Sequence, residues 1–388
     1  MRFPLRGRAR LAGFAVVVLG LAAGGLLPTG AAAASLVVPR DFPTIQAAVD
    51  AAAPGDTISV KSGTYTEEVV IGKDLNLRGA GAGATIIKAP ATLTPYAVNL
   101  RNGIPPTAIV RISHGAHVRI SGLTVSGPVP CGSVNGVAVV QAATLALSDA
   151  RVSDILPGAA SCPAPPSGRA VGFGLPPYIE IEGARGSTAF GQVTHVVVDG
   201  FQTVGLTVVG PFGVPPSSVA FADNVVSAGD DTVFPTEQFG IAATFNAVMQ
   251  VTGNTVSGGV CTFSGCGPDP IFEFQAMGIE VAGALAGTRI ADNHVSGTDV
   301  GVYQLGSPNC CQINDNTLQD NRFFGIVIQD GNGTTSGNTI SGGQIGIGVV
   351  ADAVDTVGVL RGDHITGTTV APVREIQCCG FTATAIVK

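Results

Sequence analysis

Beyond residue 34, apolar and polar residues alternate over short segments along most of the chain, and glycine and asparagine punctuate the segments at a regular spacing. Alternation over four or five residues predicts half-buried β-strands, because successive side chains point to opposite faces. The segments also repeat. Ile120-Ser-Gly-Leu-Thr-Val-Ser-Gly, Phe221-Ala-Asp-Asn-Val-Val-Ser-Ala, Val251-Thr-Gly-Asn-Thr-Val-Ser-Gly, Ile290-Ala-Asp-Asn-His-Val-Ser-Gly, Ile313-Asn-Asp-Asn-Thr-Leu-Gln-Asp and Thr335-Ser-Gly-Asn-Thr-Ile-Ser-Gly are versions of one motif. Its fourth position is Asn224, Asn254, Asn293, Asn316 and Asn338, with Asp199 and Asp363 as variants; the intervals from Asn293 to Asp363 are 23, 22 and 25 residues. A period of about 20–25 residues built from short β segments predicts a β-solenoid, one coil per repeat.

Each repeat runs on to a glycine that opens a second strand, at Gly205, Gly240, Gly278, Gly301, Gly325 and Gly346. About nine coils stacked ~4.8 Å apart make a rod roughly 45 Å long. The repeated asparagine is read as architecture: an amide in a sharp turn bonds local backbone and its equivalents in neighbouring coils. At the front, Pro43-Thr44 signals a helix start, and Ile45, Ala48, Val49 and Ala52 share one helical face. Such a helix covers the open end of the first coil. Residues 35–60 thus form an N-terminal cap and first strand of a single domain, 35–388.

The repeat and this N-terminal segment resemble the right-handed parallel β-helix of the pectin-lyase-like superfamily. The resemblance implies an all-β fold, a single-stranded right-handed parallel β-helix with an N-terminal capping helix. Gly63-Thr-Tyr65-Thr-Glu67 resembles the G-x-Y-x-E signature near the start of pectin methylesterases. Their later L-G-R-P-W motif and paired aspartate motifs are missing, and the chain has no tryptophan. The G-H-G and R-I-K motifs of polygalacturonases and the W-I-D-H and R-x-P-x-x-R motifs of the commonest pectate lyases are missing too; only Asp230-Asp231 resembles the double aspartate of the polygalacturonases. The scaffold is therefore expected without a typical pectinesterase, polygalacturonase or pectate lyase site.

Residues 1–34 read as a bacterial-type signal peptide: four arginines, an apolar run from Leu11 to Leu27, then Ala31 to Ala34. Secretion is expected, and no later segment is apolar enough to span a membrane. Removing the leader arginines takes the formal net charge from −7 to −11. That balance disfavours nucleic acid and anionic membrane as partners; a monomer is expected. Eight cysteines in an exported chain predict disulfides rather than zinc. Cys131 and Cys162 fall in the insertions of neighbouring coils, and Cys261 and Cys266 share one insertion. The pairing of Cys310, Cys311, Cys378 and Cys379 stays open.

Insertions also point to a site. From the repeat's fourth position to the next strand-opening glycine, the late coils take 8 or 9 residues, whereas Asn224 to Gly240 takes 16 and Asn254 to Gly278 takes 24. The extra residues enter at one corner and predict a wall of loops along the rod. Beside it, the second positions of the glycine-opened strands form an outward column: Thr207, Ala242, Glu280, Tyr303, Val327 and Gly348. By the chemistry of related lyases, the resemblance implies a base for the proton α to a uronate carboxylate and Ca²⁺ or another cation to neutralise it. Tyr303 and Arg322 are the candidate bases; Glu280, Gln275 and Gln329 the candidate substrate-binding residues; Glu237 and Asp299 the candidate Ca²⁺ ligands. A solvated polar face is the alternative for each. Two classes follow: a polysaccharide lyase or epimerase on acidic glycans, or a non-catalytic secreted or cell-surface β-helix that binds glycan or protein.

Overall fold

A computed structural model describes residues 33–158, 162, 167–213, 215–228, 237–307 and 310–388. The signal-peptide reading lies, but for its last two residues, outside this range, as do Asp230 and Asp231. The described chain winds through three parallel sheets. Sheet one has thirteen strands, from Ser35–Val38 to Ala383–Val387; sheet two has eleven, from Gly63–Thr66 to His364–Thr366; sheet three has eleven, from Val69–Ile71 to Ala371–Gln377. Eleven coils thus replace the nine counted from the repeat. The first coils carry no asparagine at the repeat position, so the period does not show there.

Inward side chains of the three sheets fill a continuous core, with Ile58, Leu77, Ile120, Phe173, Phe221 and Ile326 among its fully buried members. The glycines that open sheet three are needed because the chain turns inward there. A Cβ on Gly205 would lie 2.6 Å from the Gly240 carbonyl oxygen and 2.7 Å from Val226 Cγ1. At the next corner the asparagines form a buried ladder. Nδ2 of Asn224, Asn254, Asn293 and Asn316 each donates to Oδ1 of the next asparagine at 2.9 Å, and Asn338 donates to Asp363 at 2.7 Å. The backbone N–H of each rung donates to the same oxygen, as with Asn254 to Asn293 at 3.0 Å. Asp363 is a rung as expected, but Asp199 is not: it pairs with Arg151 at 2.6 Å, and the Val196 N–H meets Asn224 Oδ1 instead.

The capping helix spans Ile45–Ala51, with Thr44 Oγ1 accepting from the Ala47 N–H at 3.1 Å and Ile45, Ala48 and Val49 buried. The carboxylate of Glu67 accepts from the N–H groups of Ile45 and Gln46 at 2.9 and 2.8 Å. In G-T-Y-T-E, then, Glu67 satisfies free amides at a helix N-terminus, and Tyr65 packs on the core with its hydroxyl donating to the Lys61 carbonyl.

The expected wall is present between sheets two and three. Cys131–Cys162 joins the insertions of two neighbouring coils, Cys261–Cys266 closes a third, and the two adjacent pairs close as Cys310–Cys311 and Cys378–Cys379. One structure is absent from the sequence reading. The hairpin Leu175–Ile181/Ala184–Ser187, leaving the far edge of sheet three, pairs antiparallel with Val98–Asn99 from the wall side. Ile179 and Ile181 pack with Ala97, Val140 and Leu175. The two excursions meet over the outer face of sheet three.

Candidate functional site

Register places the outward column of sheet three in one line: Arg111, Ala138, Gly172, Thr207, Ala242, Glu280, Tyr303, Val327, Gly348 and Arg374. The expected juxtaposition of Glu280 and Tyr303 on adjacent coils is therefore observed. The two side chains differ in access. Beyond Glu280 the outer face is sealed by Tyr303, Phe323, Phe324, Val327 and Val350, with Ile271 of the wall packed against them. Before it, the floor is made of small side chains and stays open. A cavity of about 180 Å³ lies there, floored by Gly172, Thr207, Ala242 and Glu280 and flanked by Tyr96, Arg169, Tyr178 and Phe245.

Glu280 keeps part of its surface at the foot of this groove, but protein surrounds the carboxyl closely. Burial, with a smaller contribution from the charge of Glu237, pushes its pKa up to about 8. Burial also raises Glu237, with the Gln275 amide acting in the opposite sense. A carboxyl at Glu280 is thus a proton donor at neutral pH, beside a second carboxyl, Glu237, whose charge opposes its ionisation.

The other sequence candidates take structural places. Tyr303 is 4% exposed, its hydroxyl donates to Gln329 Oε1, and burial followed by the Glu280 charge raises its pKa. A phenol so held is a poor base, which corrects the reading of Tyr303 as one. Gln329 is occupied by Tyr303 and by Asp352 Oδ1 at 3.1 Å; Gln275 is buried and donates to the Gly267 carbonyl at 3.0 Å. Neither presents a free amide to the groove, contrary to their assignment to substrate.

Asp299 is fully buried and accepts from the N–H groups of Cys261 and Ala276 at 2.8 and 2.9 Å. Arg322 Nε lies 2.8 Å from its other oxygen, and because that oxygen has no aligned hydrogen-bond donor the contact is an ion pair. Burial outweighs these partners and raises the Asp299 pKa. Arg322 also donates to the Cys261 carbonyl at 3.0 Å and stacks over Phe323 at 4.3 Å. The pair pins the wall loop to the coil, so neither the base at Arg322 nor the Ca²⁺ ligand at Asp299 fits. No group of three His, Cys, Asp or Glu able to hold a metal ion occurs among the described residues.

The sequence reading missed the head of the groove. Arg111 lies over the ring of Tyr96, 5.5 Å from its centroid, and Asn135 Nδ2 donates to Tyr96 Oη at 3.2 Å. Arg169 lines the groove and an adjoining cavity of about 190 Å³, where Arg101 lies over the ring of Tyr178 at 5.7 Å. Carrying the outward column back to the second coil would have found Arg111; Tyr96 sits in an excursion with no repeat signal. A larger concavity, about 660 Å³, lies on sheet one around Gln250, Arg289 and Gln312. It is a shallow solvated face and gathers no carboxyl pair; chemistry rather than size favours the groove on sheet three.

The three parallel sheets wound coil on coil define the chain as a right-handed parallel β-helix. Residues 222–373 match the family described as periplasmic copper-binding protein (NosD). Among solved structures, the chain is similar to an alginate lyase from Paenibacillus sp. str. FPU-7, with 14% identity, 90% of this chain and 99% of that one covered, and a TM-score of 0.50. It is similar to the GH136 lacto-N-biosidase from Eubacterium ramulus, with 13% identity, 84% and 62% covered, and a TM-score of 0.55. It is also similar to PfbA, a surface adhesin of Streptococcus pneumoniae, with 10% identity, 90% and 93% covered, and a TM-score of 0.51. Likenesses at such identities concern the fold. No curated protein matches the chain.

Proposed function

We propose that this is a secreted carbohydrate-active protein that works on an acidic polysaccharide laid along sheet three, as a lyase or epimerase using Glu280 and Glu237. The observation that carries the reading is the carboxyl of Glu280, held protonated at the foot of an open, tyrosine-flanked groove beside a second carboxyl. In elimination, the carboxylate of Glu237 takes the proton α to the uronate carboxylate. That electron pair forms the C=C bond, the glycosidic C–O bond breaks, and Glu280 gives its proton to the leaving oxygen. A carboxyl kept protonated by burial beside a second carboxyl suits this division of labour between acid and base. In epimerisation the same two groups act on opposite faces of one carbon.

The Ca²⁺ expected for such chemistry finds no converging ligand set among the described residues, with Asp299 engaged as above, so no step is routed through it. Copper, suggested by the name of the matched family, meets the same difficulty: Cys261, Cys266, Cys310 and Cys311 are all in disulfides.

The test is incubation of the mature protein with a panel of uronate polymers, following ultraviolet absorbance of unsaturated products for elimination and proton NMR of the anomeric region for epimerisation. Turnover by wild type that falls at least ~10²-fold in Glu280→Gln is expected. Silence across the panel in both assays would sink the reading.

A further inference from the structure

We infer that Arg111, Arg169, Tyr96 and Asn135 form a carboxylate-binding subsite at the head of the groove, which holds an acidic sugar unit several units away from the one at Glu280. This deepens the reading of the groove as a glycan site, but requires no chemistry at Glu280.

The argument begins with charge. The mature chain is strongly acidic, yet three arginines, Arg101, Arg111 and Arg169, gather where the two excursions cross sheet three. None of the three makes an ion pair with a carboxylate among the described residues. Arg111 Nε is buried without a hydrogen-bond partner. An unpaired guanidinium N–H taken from water is costly unless something accepts it. Arg111 is also fixed in place by its stacking on Tyr96, and Asn135 in turn holds the Tyr96 hydroxyl. A pre-positioned guanidinium whose Nε–H lacks an acceptor matches a carboxylate, which can take two parallel N–H bonds from such a fork.

The room is built as well. Gly172 stands beside Asn135 on the floor, and a Cβ there would come within 2.9 Å of Asn135 Oδ1. Absence of a side chain keeps both the amide geometry and the floor. Tyr96 and Tyr178 flank the same space with Arg169, and aromatic faces bury the apolar face of a sugar ring. Three of the four tyrosines in the chain, Tyr96, Tyr178 and Tyr303, lie along this one face.

Register sets the distance. From the coil of Arg169 to that of Glu280 there are three spacings, roughly 14 Å, and from Arg111 there are five, roughly 24 Å. The carboxylate held here therefore belongs to a different unit from the one beside Glu280. The ligand is an oligomer carrying carboxylates on separate units, and the subsite selects for that charge.

Isothermal titration of the mature protein tests this, with galacturonate and mannuronate oligomers long enough to reach both ends, their methyl esters, a sulfated neutral oligomer and an unmodified neutral glucan as probes. Wild type is expected to bind at least one uronate oligomer, with affinity falling about tenfold or more on esterification and in Arg169→Gln. Arg169→Lys should recover part of the loss, because charge returns without the fork. Arg119→Gln, on the outer face of sheet one and outside the groove, should bind within about twofold of wild type. Circular dichroism and thermal melts of each variant check the fold, and Gly172→Val, which fills the floor without touching charge, is a second probe expected to lose binding.

Equal affinity for acid and ester, unchanged binding by Arg169→Gln, or preference for the sulfated oligomer would overturn the assignment, as would no binding of any uronate. Charge-selective binding lost in Arg169→Gln without turnover on any polymer would keep the subsite and remove the lyase or epimerase reading. Turnover indifferent to esterification at distant units would do the reverse.

Discussion

Glu280→Gln tests the physical basis of the proposed site without a substrate. In the folded protein the carboxyl ionises near 8 against an ordinary value of 4.5, so folding favours its protonated form. A raised carboxyl stabilises the fold fully only below the unfolded pKa, and that contribution drains away as pH rises through the folded one. The slope is about 1.4 kcal/mol per pH unit across that window. The whole loss is on the order of 3–5 kcal/mol, complete above about pH 8. Glutamine keeps the size and polarity but cannot ionise. Urea unfolding of wild type and variant at a series of pH values from acid to mildly alkaline measures the difference, and titrating groups that do not interact with Glu280 cancel between the two. The gap should widen in the variant's favour as pH rises and level off near 8. Because Glu237 raises Glu280, adding Glu237→Gln to the wild type should move the levelling point to lower pH. Parallel curves across the whole range would refute the reasoning, since a carboxyl in ordinary surroundings has no such linkage.

Three further outcomes follow from the geometry. Asn293→Ala removes donors to Val251 O, Ala291 O and Asn316 Oδ1 and the acceptor of two Asn254 donors; a loss of about 3 kcal/mol in urea unfolding is expected, since buried partners are left unmade. Asp299→Ala leaves Arg322 without its counter-ion and two buried N–H groups unpaired, so it should cost about 3–5 kcal/mol or loosen the 258–276 loop, read by limited proteolysis. Tyr303→Phe removes the hydroxyl contacts to Gln329 and to the Pro270 carbonyl and should leave any uronate turnover within about tenfold of wild type, whereas a catalytic base would lose far more.

Much of the fold was legible because its determinants are local and repeated. Alternation fixes which residues of Gly278-Ile-Glu-Val and Gly301-Val-Tyr-Gln face inward, and so sets Glu280 beside Tyr303 on adjacent coils. Thr44 and the face of Ile45, Ala48 and Val49 marked the cap in the same way. Cys131 with Cys162, and Cys261 with Cys266, followed from insertions at one corner. The coil count falls short because the early coils achieve the same turn with other residues, and Asp199 matches the repeat in sequence but is drawn out of the ladder by Arg151.

The site was less legible. Sequence determined the column on which the chemistry would sit, but burial decides which member of a column acts. Tyr303 and Glu280 are one coil apart, and only the packing of Ile271 and Phe323 shows that the first is sealed and the second open. Arg322 and Asp299 looked like free polar groups until the wall loop supplied the amides that occupy them. Tyr96 and Arg111 come together because an excursion without any repeat signal pairs with a hairpin some eighty residues later, Val98 with Glu180. The sequence by itself determined the periodic elements, since strand alternation and turn chemistry act over a few residues. Tertiary structure decided the solvent access, pairing and charge of each candidate, because these depend on distant segments whose meeting no local pattern records.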